Sequence, residues 1–156
     1  MKYMWKNFLR NLYKEDVTSN DLEKIKNLVS SFYKIPKEAL DKVKVKYSSL
    51  PTICMYIIRR IGDYIQILYR PIAKVLGLYS PETKEVYIDR NLPFHAKIKT
   101  LLHEYVHAAQ DYLGKLYRKT RKEVEEEAHE ISDYLFKIYS RASQKPPSSL
   151  SYPTLI

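Results

Sequence analysis

The residues whose types and spacing best predict chemistry are His103, Glu104 and His107, in the pattern His-Glu-Tyr-Val-His. In an α-helix, side chains four positions apart project from the same face, so both imidazoles can bind one metal ion. The glutamate that follows the first histidine can then act as a general base on a water molecule that the metal activates. The pattern therefore predicts a zinc hydrolase, with Glu104 as the catalytic base and the two histidines as metal ligands.

A simpler interpretation is that two histidines lie on a solvated helix face, because short motifs also arise by chance. The surrounding sequence favours the metal site. Apolar residues at helical spacing predict a helix with one buried stripe, and Gly114 follows the last of them, where a helix C-cap is expected. The stripe consists of Ile98, Leu102, Val106, Ala109 and Leu113. The two histidines border this stripe, so we expect them where the core meets a cleft.

A catalytic zinc ion needs a third protein ligand and an open position for water. The single cysteine, Cys54, lies far upstream in an apolar run, and the downstream Gly and His of the metzincin pattern are missing. A second helix is predicted over residues 121–139, and acidic residues in its first turns complement the helix dipole. The acidic residues that open it are Glu123, Glu125, Glu126 and Glu127. One of these glutamates is therefore the expected third ligand.

Helical geometry favours Glu125. Ala128 and Ser132 are small and one turn apart, which permits close approach to another helix. Glu125 lies one turn before Ala128 on the same side, whereas Glu127 lies on the opposite shoulder and is the second choice. The buried face of this helix is predicted to consist of Val124, Ala128, Ile131, Leu135 and Ile138.

The stretch from residue 87 to 139 resembles the gluzincin metallopeptidases, which carry His-Glu-x-x-His on one helix and Glu-x-x-Ala on a later one. It is most similar to small zincins of the kind found in membrane-bound CAAX-processing proteases, their soluble minimal relatives and ImmA/IrrE-type regulatory peptidases. The stretch from His107 to Tyr112 also resembles the His-Ala-x-x-Asp-Tyr of the thermolysin helix. The resemblance implies Glu125 as a ligand, Zn²⁺ as the cofactor and a peptide or protein substrate. These families often place Asp directly after that Ala, and here the position holds His129.

The implied fold class is α+β: a mostly helical, zincin-like domain with a small antiparallel sheet or hairpin packed on the active-site helix. The sequence from Gly77 to Asp89 predicts two strands around a Ser-Pro-Glu-Thr turn. Val86 and Ile88 alternate with polar residues, which is typical of a half-buried edge strand. Zincins commonly place such a strand just before the active-site helix, where an extended substrate can pair with it. An ordinary hairpin is the alternative.

Composition predicts a single domain over residues 1–142, with a helical N-terminal region and a Ser/Pro-rich tail over 143–156. The resemblance implies that this domain is zincin-like. No segment approaches the ~20 apolar residues of a membrane helix. The N-terminus lacks the apolar run of a secretory signal, and one cysteine excludes an internal disulfide. We therefore expect a cytoplasmic protein without a membrane span. Its Lys-, Glu- and Tyr-rich composition is typical of a protein from a hot environment.

The net charge of +9 is unevenly distributed. Basic residues crowd the connection between the two helices that carry the predicted ligands, namely Lys115, Arg118, Lys119, Arg121 and Lys122. This segment could engage nucleic acid or an acidic substrate. Neutralisation of the adjoining glutamates is the favoured interpretation. The alternative function is a basic, nucleic-acid-associated binding module or a regulatory protein, whose zinc site is structural or vestigial.

The rest of the chain is predicted to be mainly helical. An amphipathic helix is expected over residues 4–13, and a second helix is expected to be capped by Ser19 or Asp21. A short helix should follow Pro36, a strand should cover residues 43–47, and residues 52–68 are predicted to form a buried helix. The candidates for stabilising an oxyanion are Tyr112, Tyr117, His129 and Tyr134.

Overall fold

The computed structural model describes residues 17–144 and shows the α+β fold that the sequence predicts. Its helices are α1 (Ser19–Tyr33), α2 (Lys37–Asp41), α3 (Phe94–Tyr112), α4 (Lys115–Arg118) and α5 (Arg121–Gln144). Its strands are β1 (Lys44–Ser48), β2 (Thr52–Ile61), β3 (Tyr64–Lys74), β4 (Gly77–Ser80) and β5 (Glu85–Asp89). The two strands predicted between residues 77 and 89 are therefore confirmed as β4 and β5.

A three-stranded mixed sheet has the order β1-β5-β4. Strand β5 runs parallel to β1 and antiparallel to β4, with Val86 opposite both Val45 and Tyr79. The prediction that β5 is an edge strand is wrong, because β1 pairs with its second edge. Val86 and Ile88 are fully buried, but an alternating sequence pattern does not reveal how many neighbours a strand has. The edge strand beside α3 is β4.

Strands β2 and β3 form a long antiparallel hairpin, so the buried helix predicted over residues 52–68 is wrong. Ile61 pairs with Tyr64, which leaves a two-residue loop with Gly62 at φ +59°. A two-residue hairpin loop favours glycine at such a position because glycine adopts positive φ without steric cost. The apolar side chains at the hairpin tip are exposed, with Ile65 and Tyr64 at 71% and 80%. The isoleucines therefore reflect β propensity rather than burial.

Helix α3 lies at the centre of the core and packs against α5, α1 and strands β4 and β5. The predicted apolar stripe is confirmed, with its first four members nearly fully buried and Leu113 packed at the margin. The helix ends where expected, because Leu113 is the C-cap and Gly114 follows in the left-handed region at φ +74°. The face predicted for α5 also packs toward the core, with Ala128 and Leu135 at its centre.

The start of α1 differs from the predicted cap. The N-cap is Thr18, whose hydroxyl accepts from the Asp21 backbone N–H while the Asp21 carboxylate accepts from the Thr18 N–H. This reciprocal capping box places Asp21 in the first turn, not at the cap. Asp21 also accepts a hydrogen bond of 2.8 Å from the Tyr139 hydroxyl, which connects α1 to α5.

The predicted helix over residues 4–13 lies outside the described residues, as does most of the predicted tail. Helix α5 continues to Gln144, so the first two residues assigned to that tail are helical. Among residues 17–144, no helix combines the length and the apolar character that a membrane span requires.

Asp89 is a buried carboxylate at the end of β5. It forms an ion pair of 2.8 Å with Lys74, the last residue of β3, and accepts a hydrogen bond of 2.9 Å from the Asn91 N–H. These two partners hold the pKa of Asp89 below its ordinary value of 3.8. The carboxylate thus connects the base of the β2–β3 hairpin to the sheet.

The substitution Asp89→Asn should lower the free energy of unfolding at pH 7 by about 1–3 kcal/mol, because it removes a charge-assisted pair. A lowered pKa in the folded state stabilises the protein above the unfolded-state pKa, and this contribution is lost as the pH falls through the folded-state pKa. The difference between wild type and variant should therefore shrink below about pH 4 in denaturant titrations. A difference that stays constant from pH 7 to pH 2 would contradict this role.

Gly77 allows β4 to lie directly on α3. A Cβ atom at Gly77 would come within 2.5 Å of Thr100 Cγ2 and 3.2 Å of Glu104 Cγ, both on α3. Thr100 is β-branched and has few alternative rotamers, so its methyl group cannot easily move away. The absence of a side chain at residue 77 therefore sets the distance between β4 and α3.

Gly77→Ala should destabilise the protein by about 1–3 kcal/mol because it overpacks this contact. Adding Thr100→Ala removes the atom that clashes most and should recover part of the loss. Denaturant unfolding of both single variants and the double variant measures the coupling. Additive effects of the two substitutions would show that the β4–α3 contact does not limit packing.

Candidate metal centre

Helix α3 carries both histidines of the motif toward α5. The Nε2 atoms of His103 and His107 lie 3.2 Å apart. The four-residue spacing thus places both imidazoles where they could bind the same metal ion. His107 is buried and His103 is half-buried, so the pair lies at the border between the core and a cleft. This is the position that the sequence predicts.

Glu125 completes a cluster with the two histidines. One of its carboxylate oxygens lies 3.4 Å from His103 Nε2 and the other lies 3.2 Å from His107 Nε2. The potential ligand atoms of the three residues all lie within 4.8 Å of one another, so the group could hold a metal ion. Two imidazoles and one carboxylate fit zinc, which is bound by three such ligands in open catalytic sites. Their assignment as zinc ligands remains a prediction.

Electrostatics keep His103 available as a ligand. Burial lowers its pKa to about 4, and the neighbouring imidazole of His107 acts in the same direction, while the Glu125 carboxylate opposes them. The imidazole is therefore neutral at pH 7, which is the form that binds metal ions.

Glu104 is buried next to the cluster and against β4. Burial and the negative charge of Glu125 raise its pKa to about 8, while a hydrogen bond from the backbone of Tyr79 acts in the opposite direction. A cation held by His103, His107 and Glu125 would favour the ionised form of Glu104, because opposite charges stabilise a carboxylate. Such a carboxylate could then accept a proton.

Glu127, the second choice for the third ligand, lies away from the cluster. Its carboxylate accepts hydrogen bonds from Gln110 Nε2 at 2.6 Å, Lys115 Nζ at 3.0 Å and Tyr33 at 3.1 Å. Although burial raises the pKa of Glu127, these partners keep it below its ordinary value. Of these two glutamates, the structure therefore brings only Glu125 to the histidines.

Gln110 connects Glu127 to the cluster, a role that sequence reasoning missed. Its amide is fully buried, and its Oε1 atom lies 2.8 Å from His107 Nδ1. Because the Gln110 amide nitrogen donates to Glu127 and to the Val124 carbonyl, its oxygen must face the histidine. His107 then carries its proton on Nδ1 and directs the Nε2 lone pair to the cluster. The three-residue spacing between His107 and Gln110, which places both on one helix face, could have indicated this contact.

The edge strand β4 is held against the other side of α3. The Tyr79 hydroxyl donates a hydrogen bond of 2.7 Å to Asp111, and Lys84 forms an ion pair with the same carboxylate. This contact gives Asp111 a structural role. No spacing rule could have matched Tyr79 to Asp111, since they lie on different elements.

A cleft of about 690 Å³ separates β4 from α5 and contains the cluster. His103, Glu104, His107 and Glu125 all line it. Of the four predicted oxyanion candidates, only His129 is among the lining residues, and its ring centroid lies 4.7 Å from that of His103. The three tyrosine candidates have exposures of 54–80%; they are Tyr112, Tyr117 and Tyr134.

The basic connection between α3 and α5 is largely engaged by neighbouring groups. Lys115 and Lys119 contact Glu127, and Lys122 contacts Glu126 at 3.9 Å. Arg118 donates to the Leu113 carbonyl at the end of α3. Three of the five basic residues thus contact the adjoining glutamates. The nucleic-acid alternative stays a prediction.

Neither family models, curated proteins nor solved structures yield a match to this chain. A proposal of function must therefore rest on the geometry of the cluster and its cleft.

Gln110→Ala should weaken Zn²⁺ binding by about 10- to 100-fold, because residues that orient a ligand histidine commonly have effects of this size. Competition with a chromophoric chelator measures the affinity. Gln66→Ala, which truncates an exposed glutamine on the β2–β3 hairpin, is the matched control. If the metal-free variant unfolds at a lower temperature but binds Zn²⁺ as tightly as the wild type, Gln110 contributes only to packing.

Proposed function

We propose that the protein is a zinc-dependent peptidase. The observation that supports this most directly is the convergence of His103, His107 and Glu125 on one point in an open cleft, with Glu104 beside them. Structural zinc sites usually have four protein ligands, whereas catalytic sites leave a position open. Three candidate ligands facing a cleft favour the catalytic kind. Zinc bound there would polarise a water molecule and the scissile carbonyl group.

Glu104 is the proposed general base and acid. Its carboxylate takes a proton from water as the oxygen attacks the carbonyl carbon, and it delivers that proton to the leaving nitrogen as the C–N bond breaks. His129 lines the cleft next to His103 and is the candidate donor to the developing oxyanion. Bond formation, bond cleavage and proton transfer then balance as hydrolysis.

Strand β4 is the proposed binding platform for an extended substrate. It is the edge of the sheet next to α3, and residues 75–79 line the cleft. A peptide in the cleft could add to this edge by backbone hydrogen bonds, which suits recognition of many sequences. The substrate-pairing role that the sequence suggested for β5 is therefore proposed for β4 instead.

Glu104→Gln should retain Zn²⁺ but reduce peptide hydrolysis at least 100-fold, because the amide cannot accept the proton. Metal analysis by mass spectrometry should give about one zinc per chain, and a quenched fluorescent peptide library measures turnover. His103→Ala should lose both zinc and activity.

Glu125→Gln and Glu126→Gln provide a matched comparison, since the two glutamates are adjacent and only the first faces the histidines. Glu125→Gln should weaken zinc binding and Glu126→Gln should not. Equal zinc affinities would refute the ligand set, and wild-type turnover in Glu104→Gln would refute the mechanism.

A further inference from the structure

The charged residues that line the cleft, apart from the cluster and Glu104, all have the same sign. They are Lys99, Lys119 and Arg121. Lys99 forms an ion pair of 3.2 Å with Asp133, so its charge is balanced by a neighbour. The other two basic residues lie where the polypeptide passes from α4 to α5.

Lys119 and Arg121 leave an excess of positive charge. Lys119 Nζ lies 3.7 Å from a Glu127 oxygen, but Lys115 contacts the same oxygen at 3.0 Å, so two lysines share one carboxylate. Within residues 17–144, no carboxylate lies within 4.0 Å of the Arg121 guanidinium. Glu123 accepts a hydrogen bond from the Thr120 N–H and does not line the cleft.

These two residues occupy one end of the cleft. Helices α3 and α5 run antiparallel, since Lys99 pairs with Asp133 near one end and Gln110 contacts Val124 near the other. The histidines lie between these ends, on α3. Positive charge is therefore in excess on one side of the cluster only. Leu116 and Val124 line the cleft in the same region, so apolar surface borders the two exposed basic side chains.

We propose that Lys119 and Arg121 form a basic subsite that binds an acidic side chain of the substrate. The inference rests on the proposed peptidase function and names its substrate class: extended peptides with Asp or Glu on one side of the scissile bond. The guanidinium of Arg121 can bind a carboxylate through two parallel hydrogen bonds, and Lys119 adds a point charge. The net charge of +9 attracts acidic peptides toward the cleft.

Hydrolysis of two peptide series tests the subsite. One series carries Asp, Asn or Lys N-terminal to the scissile bond, and the other carries them C-terminal to it. In one series only, we expect kcat/KM to be at least about fivefold higher for the Asp peptide than for the Lys peptide. One or two exposed ion pairs can account for a preference of this size. The preference should fall as the salt concentration rises.

Arg121→Glu and Lys119→Glu should abolish or reverse this preference. Lys122→Glu is the matched control, because it makes the same charge change next to Arg121 but lies outside the cleft and pairs with Glu126. Glutamate is compatible with the first turn of α5 in both positions 121 and 122. Binding of fluorescent Asp and Lys peptides to Glu104→Gln protein, measured by anisotropy, separates recognition from turnover.

The outcomes distinguish the subsite from the proposed function. Cleavage with no preference for Asp, or with a preference that persists in Arg121→Glu and Lys119→Glu, overturns the basic subsite and leaves the peptidase intact. An equal loss of preference in Lys122→Glu shows a long-range charge effect and also overturns it. A zinc-loaded protein that cleaves no peptide overturns both.

Discussion

The close packing of α5 on α3 is the constraint on which the candidate metal centre depends. Glu125 reaches both histidines across this interface, with contacts of 3.4 and 3.2 Å. Ala128 and Ser132 are buried there and are small enough to keep the helices close. The Gln110 amide fixes the position of α5 along α3 by donating to the Val124 carbonyl at 3.1 Å. A shift of α5 by one residue would rotate Glu125 away from the histidines, because each residue turns a helix by about 100°.

The opposite wall of the cleft depends on a contact of a different kind. Strand β4 approaches α3 so closely that residue 77 has no space for a side chain, and the Tyr79–Asp111 hydrogen bond holds the strand near the other end of the helix. The Tyr79 backbone also reaches the Glu104 carboxylate. The proposed base is therefore carried by a helix and contacts the strand that packs on that helix, so its orientation does not rely on a loop.

Helical periodicity was sufficient to predict which side chains of the centre share a face. His103, His107 and the buried stripe of α3 lie on one helix, and the small residues of α5 indicated that Glu125 faces α3. The central position of β5 was missed because pairing with β1 is set by distant residues. Isoleucines at 58, 61, 65 and 67 favoured burial, whereas the Gly62 turn makes them part of a hairpin. Gln110 was missed because its role depends on Glu127, seventeen residues away, and on α5 lying against α3.

The charges around the centre decide how strongly a bound cation would polarise a substrate. Burial and the proximity of Glu125 raise the pKa of Glu104, whereas burial lowers that of His103, so both shifts oppose charge in a poorly solvated site. A carboxylate often orients a ligand histidine, but here a neutral amide does so. The negatively charged Glu127 contacts Gln110 and not the histidine, and its charge is balanced by Lys115. The three candidate ligands would then contribute one negative charge, from Glu125. A bound zinc ion would therefore keep net positive charge, which is the property needed to polarise a carbonyl group.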